Sequence, residues 1–414
     1  MIFGSVFIIE TVLLHYLKEM NPPDVLMTLM IIVLSLAYVI DITNNQTLNI
    51  VSVPLFLGYF FRVFLVYFDL YGRKYFILPN SGADSEFFYK QALLYVGGNH
   101  TVHSTMTTMT GVMLKIYGDN RLFIQYILML FSIIALHIAA YIFAYLKVDY
   151  HIGTQAMYIL CLIPNFAILS SIFLRESVVV MFASVSIFSF LIWLGGKSWY
   201  YLFLAVLNVL IASLFHSGII GMALGYILAL VLCDRKSRRI RFSIRLLIPA
   251  ILITAALLYL YFNYSEIFFA KMLRLSTIDS VANTNAGGGS SYAAYVGDSS
   301  SLYNMIKYTP IRIIYFLGSP FLWQIRGASD IIAMLFNSSL YIIVFIRCIK
   351  YLLNNNSKYR IEIFSLFVVA LMTAFVFSWG VANTGTAIRH RDKMIIIYGV
   401  LYALTGGARI KIII

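Results

Sequence analysis

Charge is what this chain has least of. Only 11% of its 414 residues are Asp, Glu, Lys or Arg, against 61% hydrophobic residues, and the mean hydropathy is +0.87. A water-soluble globule carries about 25% charged residues, so that class is excluded. Acid is scarcer than base, 17 Asp and Glu against 30 Lys and Arg, for a formal net charge of +13. Cysteine is nearly absent as well. Cys161, Cys233 and Cys348 stand far apart, in or at the ends of apolar runs, which argues against a disulfide framework or a zinc cluster and leaves them as packing residues. The opening residues lack a basic stretch and a small-residue cleavage site, and Glu10 interrupts their apolar run. They read as a short span and not as a signal peptide.

What the chain does have is apolar runs long enough to cross about 30 Å of hydrocarbon as helices, which satisfy their own backbone there. Candidates fall near 2–17, 24–41, 50–69, 121–146, 152–172, 177–194, 199–214, 217–233, 243–262, 330–350, 361–380 and 393–407. The expectation is an all-α polytopic bundle of about twelve spans, one integral membrane domain over 1–414. Basic residues in short loops stay on the cytoplasmic side. DRKSRRIRFSIR at 234–245, RCIKYLLNNNSKYR at 347–360 and the C-terminal ARIK all land on one side of an alternating count, with the N-terminus. Two long loops then face outward: 70–120, with interfacial amphipathic helices, and 263–329, with a flexible Gly/Ser segment and a re-entrant or interfacial helix.

The outward loops hold the unusual chemistry. In ADSEFFYKQALLY, Asp84 and Glu86 sit in the first turn of an interfacial helix, where they favour the helix dipole or supply a carboxylate base for a sugar hydroxyl. His100 and His103 belong to a polar stretch and lack a third ligand, so a solvated helix is the better reading. LRES sets Arg175 and Glu176 side by side at a hydrocarbon boundary: either a helix start with a snorkelling arginine, or a phosphate contact and an acid. His216 occupies the tip of a tight helical hairpin in FHSG, as a hydrogen-bonding group or a catalytic one. NTNAGGGSSYAAYVGDSSS has no periodicity and serves as linker or lid. TPIRIIYFLGSPFLWQIRGASD is apolar but broken at Gly318-Ser319-Pro320, with Arg312 and Arg326 on the outer side. Finally, ANTGTAIRHRDK places Arg389, His390 and Arg391 in a gap between two of the most apolar stretches. Guanidiniums from Arg175, Arg312, Arg326, Arg389 and Arg391 would suit a diphosphate at the outer face.

At ADSEFFYKQA, LRES, FHSG, GSPFLW and NTGTAIRHR, and in its helix-rich layout over nearly the whole length, the chain resembles integral-membrane GT-C-type enzymes of the bacterial envelope, in particular the Wzy-type O-antigen and capsule repeat-unit polymerases. The resemblance implies a GT-C-like bundle in the inner (cytoplasmic) membrane with its active site facing the periplasm. It implies undecaprenyl-diphosphate-linked oligosaccharide as substrate, membrane lipid as surroundings and a chain-length regulator protein as a partner. By the same resemblance, Arg389 and Arg391 hold the donor diphosphate with Arg175 added, and Asp84, Glu86 or His216 engages the acceptor hydroxyl. No DxD-type carboxylate pair stands in an outer loop, which favours a lipid-linked donor over a nucleotide sugar held by a metal; no metal and no cofactor is expected.

Two other readings stay open. A GT-C transferase would add a single sugar from a polyprenyl monophosphate with Asp84 as base. A flippase or transporter would show intramembrane charges and an internal repeat; the repeat is not seen, and Glu10, Arg62 and His137 within spans suit snorkelling or helix pairing. Nucleic-acid binding has no support, because the positive charge divides between the cytoplasmic loops and the outer face.

Overall fold

A computed structural model describes residues 2–17, 24–98, 104–242, 247–268, 290–297, 302–354 and 358–406, and they are nearly all helical. The helices are α1 (Ile2–Leu17), α2 (Asp24–Asn44), α3 (Gln46–Asn49), α4 (Ser52–Tyr71), α5 (Ala83–Val96), α6 (Thr105–Tyr117), α7 (Arg121–Tyr145), α8 (Tyr150–Leu162), α9 (Pro164–Ser171), α10 (Glu176–Leu194) and α11 (Tyr200–Phe215). They continue as α12 (Ser217–Leu232), α13 (Leu247–Phe268), α14 (Leu302–Gly318), α15 (Ala328–Leu353), α16 (Arg360–Trp379), α17 (Thr384–Arg391) and α18 (Ile395–Gly406). Among the described residues the only paired strands are β1 (Cys233–Asp234) and β2 (Arg239–Ile240), a small antiparallel hairpin with Cys233 opposite Ile240.

Seven of these helices are long and apolar enough to cross a membrane, eight if the bent pair α8–α9 counts as one span. Large apolar side chains point outward along them. On α13, Ile248, Ile251, Leu252, Tyr259 and Phe262 are each more than 60% exposed, an arrangement that hydrocarbon tolerates and water does not. This is a helical membrane protein.

Where the sequence reads as one domain, contacts divide the chain into two compact units, Met1–Leu162 with Phe166–Val178, and Ile163–Asn165 with Val179–Ile414. In the first, polar caps start the helices where the sequence supplies them. Asn45 Oδ1 accepts from Thr47 N and Leu48 N at 3.0 and 3.1 Å, and Asn120 Oδ1 from Phe123 N at 2.9 Å. Pro164 breaks the span between α8 and α9, which bend by 51°. Gly58 lets α4 approach this break closely, because a Cβ there would lie 2.8 Å from Cys161 Cβ. One turn on, the fully buried Arg62 donates to Cys161 O at 2.6 Å, Gly58 O at 3.0 Å and Ser170 Oγ at 3.0 Å. Arg62 therefore pairs helices and satisfies a carbonyl freed near the bend.

In the second unit α12 lies against α16 along a glycine stripe. A Cβ on Gly221 would sit 2.7 Å from Thr373 Cα, and one on Gly225 2.4 Å from Val369 Cα. Only glycine permits that backbone approach. At one end of this pair the basic hairpin is pinned: Arg235 packs over Trp193 and Trp199 at 5.0 and 4.9 Å, and Arg238 pairs with Glu362 in the first turn of α16.

Candidate functional site

The opposite end of α12 and α16 carries a buried aromatic and imidazole cluster. His216 closes α11 with its N–H on Ala212 O at 3.0 Å in an extended conformation, and α12 begins directly after it. Gly218 follows because a side chain there would collide with the Phe377 ring, 2.4 Å from a Cβ. Glycine thus lets the turn press His216 against Phe377, ring centroids 5.4 Å apart. His390 on α17 completes the group, 5.3 Å from Phe377 and 4.5 Å from His216, whose ring it meets at 84°. Both histidines are buried. Two adjacent imidazoles can exchange or relay a proton, and either can serve as a general base.

Beside this cluster Arg391 is fully buried and engaged by protein acceptors. Its Nη1 donates to Phe316 O, Leu317 O and Ser319 O at 3.0, 2.8 and 2.8 Å. Nε donates to Asn337 Oδ1 at 2.7 Å and Nη2 to Ser338 Oγ at 3.2 Å. The last carbonyls of a helix have no partner within it, and here a guanidinium supplies donors and a complementary charge to the C-terminus of α14. The break expected at Gly318-Ser319-Pro320 is thus held from within. Asn337 also donates to Asp392 Oδ1, and Tyr341 Oη donates to Arg391 O at 2.7 Å. Arg391 is a positioning residue, which changes its place in the reading from the sequence: it organises the end of α14 and does not present its fork to a ligand.

Residues 290–297, within the glycine- and serine-rich stretch that the sequence marks as linker or lid, lie against this region. Tyr292 N donates to Ala382 O at 2.8 Å and Thr384 N to Ser290 O at 3.0 Å, a bridge that seats Ser291 opposite Asn383. Asn383 in turn caps α17 through Gly385 N at 2.9 Å. Tyr292 is buried; burial pushes its phenol pKa up, while the positive Arg391 and Arg312 pull it the other way. Arg312, almost fully buried on α14, stacks on Trp379 at 4.2 Å and donates to Gly297 O. Trp379 Nε1 donates to Thr309 Oγ1 at 3.1 Å. The strap at 290–297, the end of α14 and the loop before α17 therefore surround one polar region of the second unit.

The remaining residues singled out in the sequence distribute as follows. Arg389 is half-buried next to His390, and its carbonyl accepts from the buried Lys393 at 3.2 Å. Arg326 forms an ion pair with Asp330 at 3.1 Å at the start of α15, half-exposed; no described contact joins it to the histidines. Asp84, Glu86, Arg175 and Glu176 belong to the first unit. Asp84 is exposed in the first turn of α5. Arg175 lies over the Phe88 ring at 5.6 Å, and Glu176 is buried in the first turn of α10. His100 and His103 lie outside the described residues.

Glu86 sits between two guanidiniums. Arg121 contacts both its oxygens, Nη1 to Oε2 at 2.9 Å and Nη2 to Oε1 at 2.8 Å, and Arg73 Nη1 binds Oε1. Its pKa falls to about 2, first through the Arg121 hydrogen bond and then, against the cost of burial, through Arg73. The buried Asp69 joins the same network, accepting from Gln125 Nε2 at 3.0 Å, from Ser81 Oγ and from Arg73. Glu86 thus anchors α5 and is a poor proton acceptor near neutral pH. Asp69, Arg73 and Gln125 were missed in the sequence; the acid and base four residues apart at 69 and 73 were the signal. Phe377 and Trp379 were missed because they read as ordinary span residues.

Among the described residues no group of three or more His, Cys, Asp and Glu side chains is arranged to hold a metal ion. Comparison with protein-family models, curated proteins and solved structures gives no match.

Proposed function

We propose that the chain extends glycans carried on a polyprenyl diphosphate, as a repeat-unit polymerase of the O-antigen and capsule type in a bacterial inner membrane. The observation that carries this reading is the meeting of His216 and His390, brought from different parts of the chain, with Arg389 next to His390 in sequence and Arg312 in the same unit.

Orientation follows from charge. The basic hairpin and Glu362 mark one end of α12 and α16, and the positive-inside bias assigns that end to the cytoplasm. The histidines, at the other end of the 20-residue α16, then face the periplasm, about 30 Å away. Seven helices, or eight with α8–α9 as one span, are long and apolar enough to cross; this reading adds the shorter α1, α11, α12 and α18 to reach the twelve expected of a GT-C-like bundle.

In the reaction, a hydroxyl oxygen of the acceptor sugar attacks the anomeric carbon of the donor glycan. A carbon–oxygen bond forms as the bond to the diphosphate breaks; the diphosphate leaves with the electron pair, and an imidazole takes the hydroxyl proton. Arg389 and Arg312 stabilise the leaving charge, while Arg391 keeps the end of α14 in place. A chain-length regulator is the protein partner this reading calls for.

Purified protein given lipid-linked oligosaccharide without added metal, with products sized on a gel, tests the proposal. A ladder of repeat units is expected from the wild type, and none from His390→Ala. Failure to form any product longer than the substrate sinks it. A second reading, transfer of one sugar from polyprenyl monophosphate, rests on the exposed Asp84 of α5; it predicts a single-sugar increment that Asp84→Asn removes.

A further inference from the structure

We propose that the second unit holds an anionic phospholipid, with one acyl chain in a groove between α12 and α13 and the phosphate on the basic hairpin that follows α12. The groove encloses about 420 Å³, within the volume range of small-molecule sites. Its walls include Ile220, Leu224 and Leu228 of α12, Thr254 and Leu257 of α13 and Met372 of α16, and no charged side chain lines it.

The fold leaves this space open. Gly221 and Gly225 bring one face of α12 against the backbone of α16, while Ile220, Leu224 and Leu228 turn to the groove beside α13. On α13 Ala250 and Leu257 are buried, but Ile251, Leu252 and Leu258 are each at least half exposed. Thr254 Oγ1 donates to Ala250 O at 2.8 Å, so its hydroxyl is satisfied within the helix. Between helices in a bilayer no hydrophobic force closes such a gap, because a lipid chain is as apolar as a leucine. A methylene chain fills it. From Cys233, where the hairpin begins, to Ile220 the rise along α12 is about 20 Å, which takes a chain through one leaflet of a hydrocarbon core about 30 Å thick.

The head's chemistry follows from the hairpin. Residues 234–241 carry five cations and a single acid, Asp234. Three of the cations are engaged by the protein: Arg241 pairs with Asp234 at 2.7 Å, Arg238 pairs with Glu362, and Arg235 donates to Trp193 O and Lys197 O at 3.0 and 2.9 Å. Lys236 and Arg239 are exposed and form no ion pair among the described residues. Arg235 also stacks on Trp199, an exposed indole of the kind that settles at headgroup depth. Basic side chains at that depth attract anionic lipid. Phosphatidylglycerol brings them an uncompensated phosphate, whereas phosphatidylcholine brings its own ammonium. These cations lie at the end of α12 away from His216, so the site does not rest on the glycan reaction.

The test uses the full chain in phosphatidylcholine nanodiscs that contain a small fraction of phosphatidylglycerol or phosphatidylcholine with the same photoreactive acyl chain, the cross-links mapped to peptides. The phosphatidylglycerol probe is expected to label peptides carrying Leu224 and Leu257 about tenfold more than the phosphatidylcholine probe, and unlabelled phosphatidylglycerol should displace it. Lys236→Gln combined with Arg239→Gln should bring the two probes level; both side chains are exposed, so this variant is expected to fold. Leu228→Trp, which fills the groove, should remove labelling there by either probe. Equal labelling of the wild type by the two probes, or a preference that survives the double substitution, overturns the proposal. So does displacement by a polyprenyl diphosphate but not by phosphatidylglycerol, which gives the groove to the tail of the glycan donor. The readout needs no glycan, so its failure is separate from a failure of elongation.

Discussion

The imidazole rings of His216 and His390 meet edge to face, 4.5 Å between centroids, although 174 residues separate them in the chain. The contact depends on three helix ends arriving together, those of α11, α16 and α17. If one ring is the base, His216→Ala and His390→Ala should each lower polymerisation by about 10²–10⁴-fold, with expression and monodispersity retained. Gel analysis of lipid-linked products in a purified system checks this, and an undiminished ladder in both variants places the base elsewhere.

Arg391 and Arg389 should part company on substitution. Arg391→Ala leaves the carbonyls of Phe316, Leu317 and Ser319 buried without their donor, at a cost of about 3 kcal/mol or more. Thermal unfolding followed by fluorescence-detected size exclusion is expected to show a large loss for Arg391→Ala. Arg389→Ala should unfold like the wild type and fail in polymerisation. Equal thermal stability of the two variants would contradict the positioning role.

Glu86 predicts an acid-sensitive anchor. Its folded pKa, about 2, lies below the ordinary 4.5, so its pairing with Arg121 and Arg73 contributes stability that is fully present above about pH 4.5. That contribution is lost as pH falls towards 2. Glu86→Gln should be less stable than the wild type at pH 7, and the gap should close as pH drops from 4.5 towards 2. Thermal midpoints of the two proteins across that range provide the measurement; a gap that persists at the acid end counts against the ion-pair origin.

Gly225 is expected to tolerate nothing larger. A Cβ there would lie 2.4 Å from Val369 Cα, a backbone atom that moves only with α16 itself. Gly225→Ala should cost about 1–3 kcal/mol and move α12 with the histidine at its start. Glycan elongation and thermal stability should fall together, whereas Gly4→Ala, inside a helix where nothing lies within 4 Å of a Cβ, should leave elongation intact.

Much of the helix layout was readable because apolar run length and backbone satisfaction are local matters. Helices cover all twelve apolar segments, yet only seven or eight meet the length and composition of a span. α11 and α12 are cut short by the turn at His216 and the hairpin after Leu232, and run length alone does not reveal how deep such helices sit. The break after Gly318 was legible from Gly-Ser-Pro chemistry. The bridge between Ser291 and Asn383 was not, because the two partners lie far apart in sequence and the pairing is made through backbone groups that every residue carries.

The candidate site divides along the same line. Arg389, His390 and Arg391 stood out as polar groups in an apolar context, which composition reveals directly. Their separate orientations depend on which carbonyls α14 leaves unpaired, and so Arg391 faces inward to Phe316 and Ser319 while His390 faces His216. Likewise the acids at 84 and 86 were visible as a first helical turn, but one is exposed and the other held by Arg73 and Arg121. Membrane residence follows from local hydrophobicity summed along the chain. Which charged group meets protein and which meets open space is decided by distant segments, since a guanidinium or carboxylate takes its role from the partners that packing brings within about 3 Å.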